Sequence, residues 1–308
     1  MVKTLSDVSV GLVVLCSLLL NAVFIEGASE TARAFVSPSF LFSLKKPVPR
    51  FLSSDTRAEK GALETKKPSL GVTGYPVTVL CAEDEETAVT EDLLKAADEA
   101  EASGDKLEAC RLITQHIRRV TEGGVPTPDL SPSPEAFLSV WRDNGPRAAQ
   151  LARECLEEDG KEKDPERLAL LVEAGTYAVS GKGLARAALG GGLSELQKAN
   201  KVLREVAPSF DNGVGHIFAG NFYVTTPWPL RSFKKGRERF DLALKVAPSS
   251  GRNLYFAGLG ALLDGSPAEA AKLFQAVLGE DATFQTPSEI DLKECFQREA
   301  GKGLKRAS

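Results

Sequence analysis

Two histidines, five cysteines and one glycine-rich run are the residues of this 308-residue chain with an evident capacity for chemistry. The run carries Gly175, Gly181, Gly183 and Gly190-Gly191-Gly192. Glycines let backbone N–H groups close around a phosphate when they follow the spacing G-x-x-x-x-G-K-[ST] between a strand and a helix. Counted from Gly175, the second glycine falls on Ser180, and the residue after Lys182 is Gly183 instead of serine or threonine. No alternating strand pattern leads into it. The sequence therefore predicts a loose helix junction here and no nucleotide or other cofactor. His116 and His216 sit among apolar helical positions, with no nucleophile or orienting group at a recognisable spacing. Both read as core histidines, and no catalytic residue is expected. Cys16, Cys81, Cys110, Cys155 and Cys295 include no C-x-x-C pair, which argues against a zinc site or a disulfide framework and for free thiols.

The elements that would position these residues read as helices. Hydrophobic residues make up 43% and charged residues 26%, a balance that suits a globular chain. Residues 89–121 predict a helix pair. Leu93, Leu94, Ala97 and Ala100 form the first stripe, Gly104 breaks it, and Leu107, Cys110, Ile113 and Ile117 form the second. Pro126, Pro128, Pro132 and Pro134 exclude a helix between Val125 and Pro134. Ser133 is expected to cap the next helix with Pro134 in its first position. That helix carries Phe137 and Trp141 and is expected to break at Asn144-Gly145-Pro146, with another following through Cys155. After a polar loop, Asp164 caps a helix that begins at Pro165 and runs through Val179. Leu193–Ala207 forms a further helix. Four more fill Ala207–Leu278, separated by Pro208, Pro227 and Pro229, Pro248 and Gly265. The tail adds a helix from Ser288 to about Ala300, with a frayed basic end from Gly301 to Ser308.

Upstream, Lys3 precedes an apolar run from Val8 to Ile25, and Ala32-Arg33-Ala34 offers a signal-peptidase site. Residues 1–34 thus read as a signal peptide, with an uncleaved membrane-spanning helix as the alternative. The junction Ala32-Arg33-Ala34-Phe35, with Pro38 behind it, resembles the signal-plus-transit leaders of algae with secondary, red-lineage plastids. Residues 35–81 hold seven basic and three acidic residues, as a transit peptide would. Val79-Leu80-Cys81-Ala82 resembles a stromal processing site. The resemblance implies delivery to the plastid stroma; secretion or membrane anchoring is the other address. Once cleaved, the mature chain would keep no membrane span. From Ala82 onward 36 acidic residues face 29 basic ones, a balance that argues against nonspecific nucleic-acid binding.

The helices fall into repeats at 90–121, 213–248 and 251–282, with a less regular segment at 134–206. Leu254, Gly258, Gly265, Ala270 and Phe274 are spaced as in a tetratricopeptide repeat, and Gly220, Tyr223, Gly236, Phe240, Ala243 and Pro248 give a second copy. The run Pro208, Asp211-x-Gly213, Gly220-x-x-Tyr223, Pro227-x-Pro229 resembles the T-component family of tripartite transporters, although Leu230-Arg231-Ser232 stands where that family has G-G-D. The resemblance implies an all-α superhelix, TPR-like helix pairs stacked into an α-solenoid around a groove or pore.

On this reading the domain at 82–308 is a non-catalytic scaffold for a protein partner, with small-molecule binding in a central pore as the alternative. Asn221, Arg252 and Tyr255 are expected to face the groove. Trp228, between two prolines, is a clamp on the core or a recognition aromatic. Lys234, Lys235, Arg237 and Arg239 form a basic patch open to an acidic partner. The leader reading makes the first prediction. A fusion of residues 1–85 to a fluorescent protein should enter the plastid, and Phe35→Ala should stop it earlier in the pathway; secretion of both fusions would contradict the assignment.

Overall fold

The computed structural model describes residues 82–183, 191–227 and 229–308, and for 82–91 the backbone alone. The leader, its two junctions and Trp228 lie outside the described residues. These residues fold as helices: α1 (Ala82–Ala102), α2 (Lys106–Val120), α3 (Glu135–Leu156), α4 (Pro165–Lys182), α5 (Gly192–Val206), α6 (Val214–Thr225), α7 (Phe233–Val246), α8 (Gly251–Leu263), α9 (Pro267–Val277), α10 (Pro287–Asp291) and α11 (Lys293–Ala307). Among the described residues there is no strand, only a bridge between Ser250 and Thr283. No described helix is long and apolar enough to cross a membrane.

Local chemistry sets most helix ends. The Asp105 carboxylate accepts from the Glu108 N–H, and Asp164 accepts from the N–H groups of Glu166 and Arg167. Ser232 and Ser250 cap α7 and α8 in the same way. The turns after α1 and α8 place Gly104 and Gly265 at φ +89° and +83°, where a side chain would be strained. At α3 the N-cap is Pro134 itself, and the helix starts one residue later than expected.

Each helix from α1 to α8 packs on its successor, α10 lies against α2, and α11 returns against α8 and α9. The array holds two buried clusters. One gathers Ile113, Ile117, Trp141, Leu168 and Leu171; the other gathers Phe240, Tyr255, Phe256, Phe274 and Phe296.

Three expectations need correction. Helix α3 does not break at Asn144-Gly145-Pro146; it runs through Pro146. Gly181 belongs to α4 and not to a loose junction. The two facts have one cause. A Cβ on Gly145 would lie 2.7 Å from the Ala178 backbone nitrogen, and one on Gly181 would lie 2.7 Å from that of Arg142. The two glycines let α3 and α4 cross backbone against backbone, and this contact outweighs the proline's missing N–H. The third correction is the tail. Residues 301–307 continue α11 because Gly303 seats under the Phe274 ring, where a Cβ would come within 2.6 Å.

The crossing yields a stability prediction. Gly145→Ala should cost about 1–3 kcal/mol, as expected for overpacking against backbone that cannot retreat. Gly301→Ala, with open space around its Cα, should instead stabilise by about 0.5–1 kcal/mol through helix propensity. Urea unfolding of both variants checks the pair.

Candidate functional site

The helices leave a cavity of about 280 Å³. Its apolar wall includes Trp141 of α3, Val172 and Tyr177 of α4, Leu196 of α5, Phe218 and Phe222 of α6, and Phe256 of α8. Polar groups interrupt this wall, among them Arg118, Glu173, Thr176, Asn200, Asn221 and Arg252. Thr176 is exposed, so it stands where the cavity meets solvent. The remaining groups are buried or half-buried.

Two buried arginines line the cavity, and both are tied to α10. Arg118 makes a paired contact to Glu173, at 2.9 Å through both Nε and Nη2, and its Nη1 donates to Asp291 at 2.8 Å. Burial opposes the Arg118 charge, yet Glu173, Tyr177 and Asp291 hold its pKa above the ordinary arginine value. Tyr177 donates to Glu173 at 3.0 Å, and burial followed by that carboxylate pushes its phenol well up. Arg252 donates to the Asp211 carboxylate, the Asp211 carbonyl and the Ser288 hydroxyl, and stands 3.7 Å from Glu289. Glu289 has no exposure; it accepts from Asn212, Ser250 and the N–H groups of Gln285 and Thr286.

Three cavity-lining residues carry buried atoms without a partner: Asn200 Oδ1, Asn221 Oδ1 and Arg252 Nε. Buried polar groups are ordinarily satisfied, so these mark where an occupant's hydrogen bonds would be made. Of the residues singled out in the sequence, Asn221 and Arg252 come together on this wall. Tyr255 does not. It is fully buried in the second cluster, and its hydroxyl donates to the Pro126 carbonyl at 2.6 Å. Sequence reasoning missed Arg118, Glu173, Asp291 and Glu289. A signal existed for the last: Thr286-Pro287-Ser288-Glu289 has capping-box spacing, and the Thr286 N–H donates to the Glu289 carboxylate at 3.2 Å.

No family model matches the chain, and no curated protein is significantly similar to it.

The described thiols Cys110, Cys155 and Cys295 are free and buried. Burial pushes Cys110 and Cys295 up to about 12, and raises Cys155 as well. Such thiols are poor nucleophiles. They make a pH prediction. An unfolded cysteine loses its proton near 9.0, whereas the folded one keeps it to about 12. The folded state therefore binds more protons across that interval, and stability must fall as pH rises through it. Urea unfolding followed from pH 8 upward should show the decline, and the Cys110→Ala/Cys295→Ala chain should show a shallower slope.

Proposed function

We propose that this chain is a non-catalytic, tetratricopeptide-like helical-repeat protein of a plastid, and that its concave side holds a small organic molecule in the cavity. The cavity's composition carries the reading: an apolar wall broken by the unpartnered Asn200 Oδ1, Asn221 Oδ1 and Arg252 Nε. A mostly apolar recess with a few convergent polar groups is the usual form of a small-molecule site. The plastid address rests on the leader motifs alone.

The repeat architecture is supported by an equivalence between two helix pairs. In α6–α7 Gly220 lies under Phe240, where a Cβ would come within 2.2 Å of the ring; in α8–α9 Gly258 lies under Phe274, where it would come within 2.9 Å. The same small-under-large contact recurs at matching places, as stacked repeats require. A superhelix curling around a pore is what the likeness to transporter T-components implies, and a cavity walled by α4, α6 and α8 agrees with it.

A second reading is a scaffold that binds a protein partner. It is favoured by the exposed Val206, Leu242, Val246 and Leu278, which stand toward the C-terminal ends of α5, α7 and α9. The experiment that separates the two uses Thr176→Trp, which places a bulky ring at the mouth of the cavity. Native mass spectrometry of the chain purified from a plastid-bearing alga should show a co-purifying small molecule, and the variant should lose it while its circular dichroism is unchanged. A chain without bound ligand that captures the same protein partner with or without the plug would reverse the order of the two readings.

A further inference from the structure

The basic run of α7 is not one patch. Arg237 is fully engaged, with Glu269 at 2.5 Å, Asp264 at 3.3 Å and Asp241 at 3.8 Å. Lys235 and Arg239, one turn apart, belong to another face. The Lys235 Nζ stands 5.6 Å from the centroid of the Tyr223 ring on α6. Tyr223 lies seven residues beyond His216, and residues so spaced share a helix face. Arg204 enters from α5. Its stem crosses Gly215, where a Cβ would meet the Arg204 Cγ at 2.8 Å, so the missing side chain is what brings the guanidinium beside His216.

Arg204 of α5 thus lies against the turn of α6 that carries His216, and Arg239 of α7 is within electrostatic reach of both; all three are half-buried. Burial first, and then Arg239, lower the pKa of Arg204; burial, Arg204 and Arg239 lower that of His216. Among the described residues none of the three makes an ion pair, and Arg204 Nε and His216 Nδ1 are buried without a partner. Glu205 is the carboxylate that acts on Arg204, but it is exposed and lies 3.8 Å from Lys201. In a chain with more acids than bases, like charges held together with no internal counter-ion call for an external one. The site is distinct from the cavity, which Asn221 and Phe222 line from the other side of α6.

The geometry points to an oxyanion site between α5, α6 and α7, in which a phosphate group is held by Arg204, His216 and Arg239, with Lys235 at the rim. Donors supplied by three helices suit a group with three or more acceptor oxygens and a double charge better than a two-oxygen carboxylate. Free inorganic phosphate and a small phosphate ester share this chemistry.

The test exploits the scarcity of histidine. The full chain has two, so His116 serves as internal reference while His216 reports. Inorganic phosphate, glycerol phosphate and chloride are titrated at constant ionic strength, and the imidazole resonances are followed by NMR. Phosphate should move the His216 signals saturably and raise its pKa, because an adjacent anion favours imidazolium over the opposition of Arg204, Arg239 and Lys235. Arg204→Gln and Arg239→Gln should each weaken this binding by about tenfold or more. Saturation by both phosphates identifies the group; saturation by inorganic phosphate alone confines the site to the free ion. A His216 response equal in chloride and phosphate, or undiminished affinity in the Arg204→Gln/Arg239→Gln chain, would overturn the proposal.

Discussion

The Glu289 carboxylate has no contact with water, and the C-terminal third of the array is arranged to satisfy it. A buried charge is tolerated only when its oxygens are taken up by donors. Here the donors come from three separate places: Asn212 before α6, Ser250 at the cap of α8, and the backbone leading into α10. One side chain therefore ties three segments together. Arg252 extends the knot to Asp211 and Ser288. Asp291, two residues further on, reaches Arg118 and Arg119 of α2. Removing one member of such a buried pair typically costs about 3–5 kcal/mol, because the other is left charged and unpaired. The exposed pair Arg298–Glu122 spans the same seam, but solvent screens it and it contributes little.

The knot gives the array its interior. With Asp291 held on α2, residues about 170 positions apart meet, and Arg118 shares the cavity wall with Leu292 and Phe296 as well as with Trp141 and Phe256. Both Arg118 and Arg252 line that cavity and are largely occupied by structural partners. What lies open to an occupant is mainly the apolar surface, and the buried atoms without a partner are two asparagine oxygens and one guanidinium nitrogen. That composition suits recognition by shape and a few hydrogen bonds.

How much of this was legible in the sequence depended on the range of the interaction. The helix start at Pro165 could be read because the Asp164 cap lies within three residues of the N–H groups it satisfies; the caps at Asp105, Ser232 and Ser250 work over the same short range but were not read. Gly104 and Gly265 ended helices for equally local reasons. Pro146 misled, because the contact that keeps α3 continuous is the crossing of Gly145 and Gly181 with a helix more than 30 residues away. The end of α11 misled in the same manner: Gly301 and Gly303 suggest fraying, but Gly303 is the residue that admits Phe274. At the candidate site, Asn221 and Arg252 were found through repeat spacing. Tyr255 was misplaced because one helical step turns it from the cavity into the aromatic core. Arg118 and Asp291 gave no sequence signal, since a charge on an apolar stripe does not name a partner so far along the chain.

The claim that everything else rests on is that the C-terminal segment closes the cavity through buried charge. Trp141 lies in the cavity wall, 5% exposed, with its indole N–H donated to Thr121, and Trp228 is the chain's other tryptophan. Acrylamide quenching of fluorescence in a Trp228→Phe background therefore reports access to the cavity. The account predicts weak quenching of Trp141 in that background and a marked increase when Asp291→Asn is added, with helical content retained. Equal quenching in the two chains would contradict it.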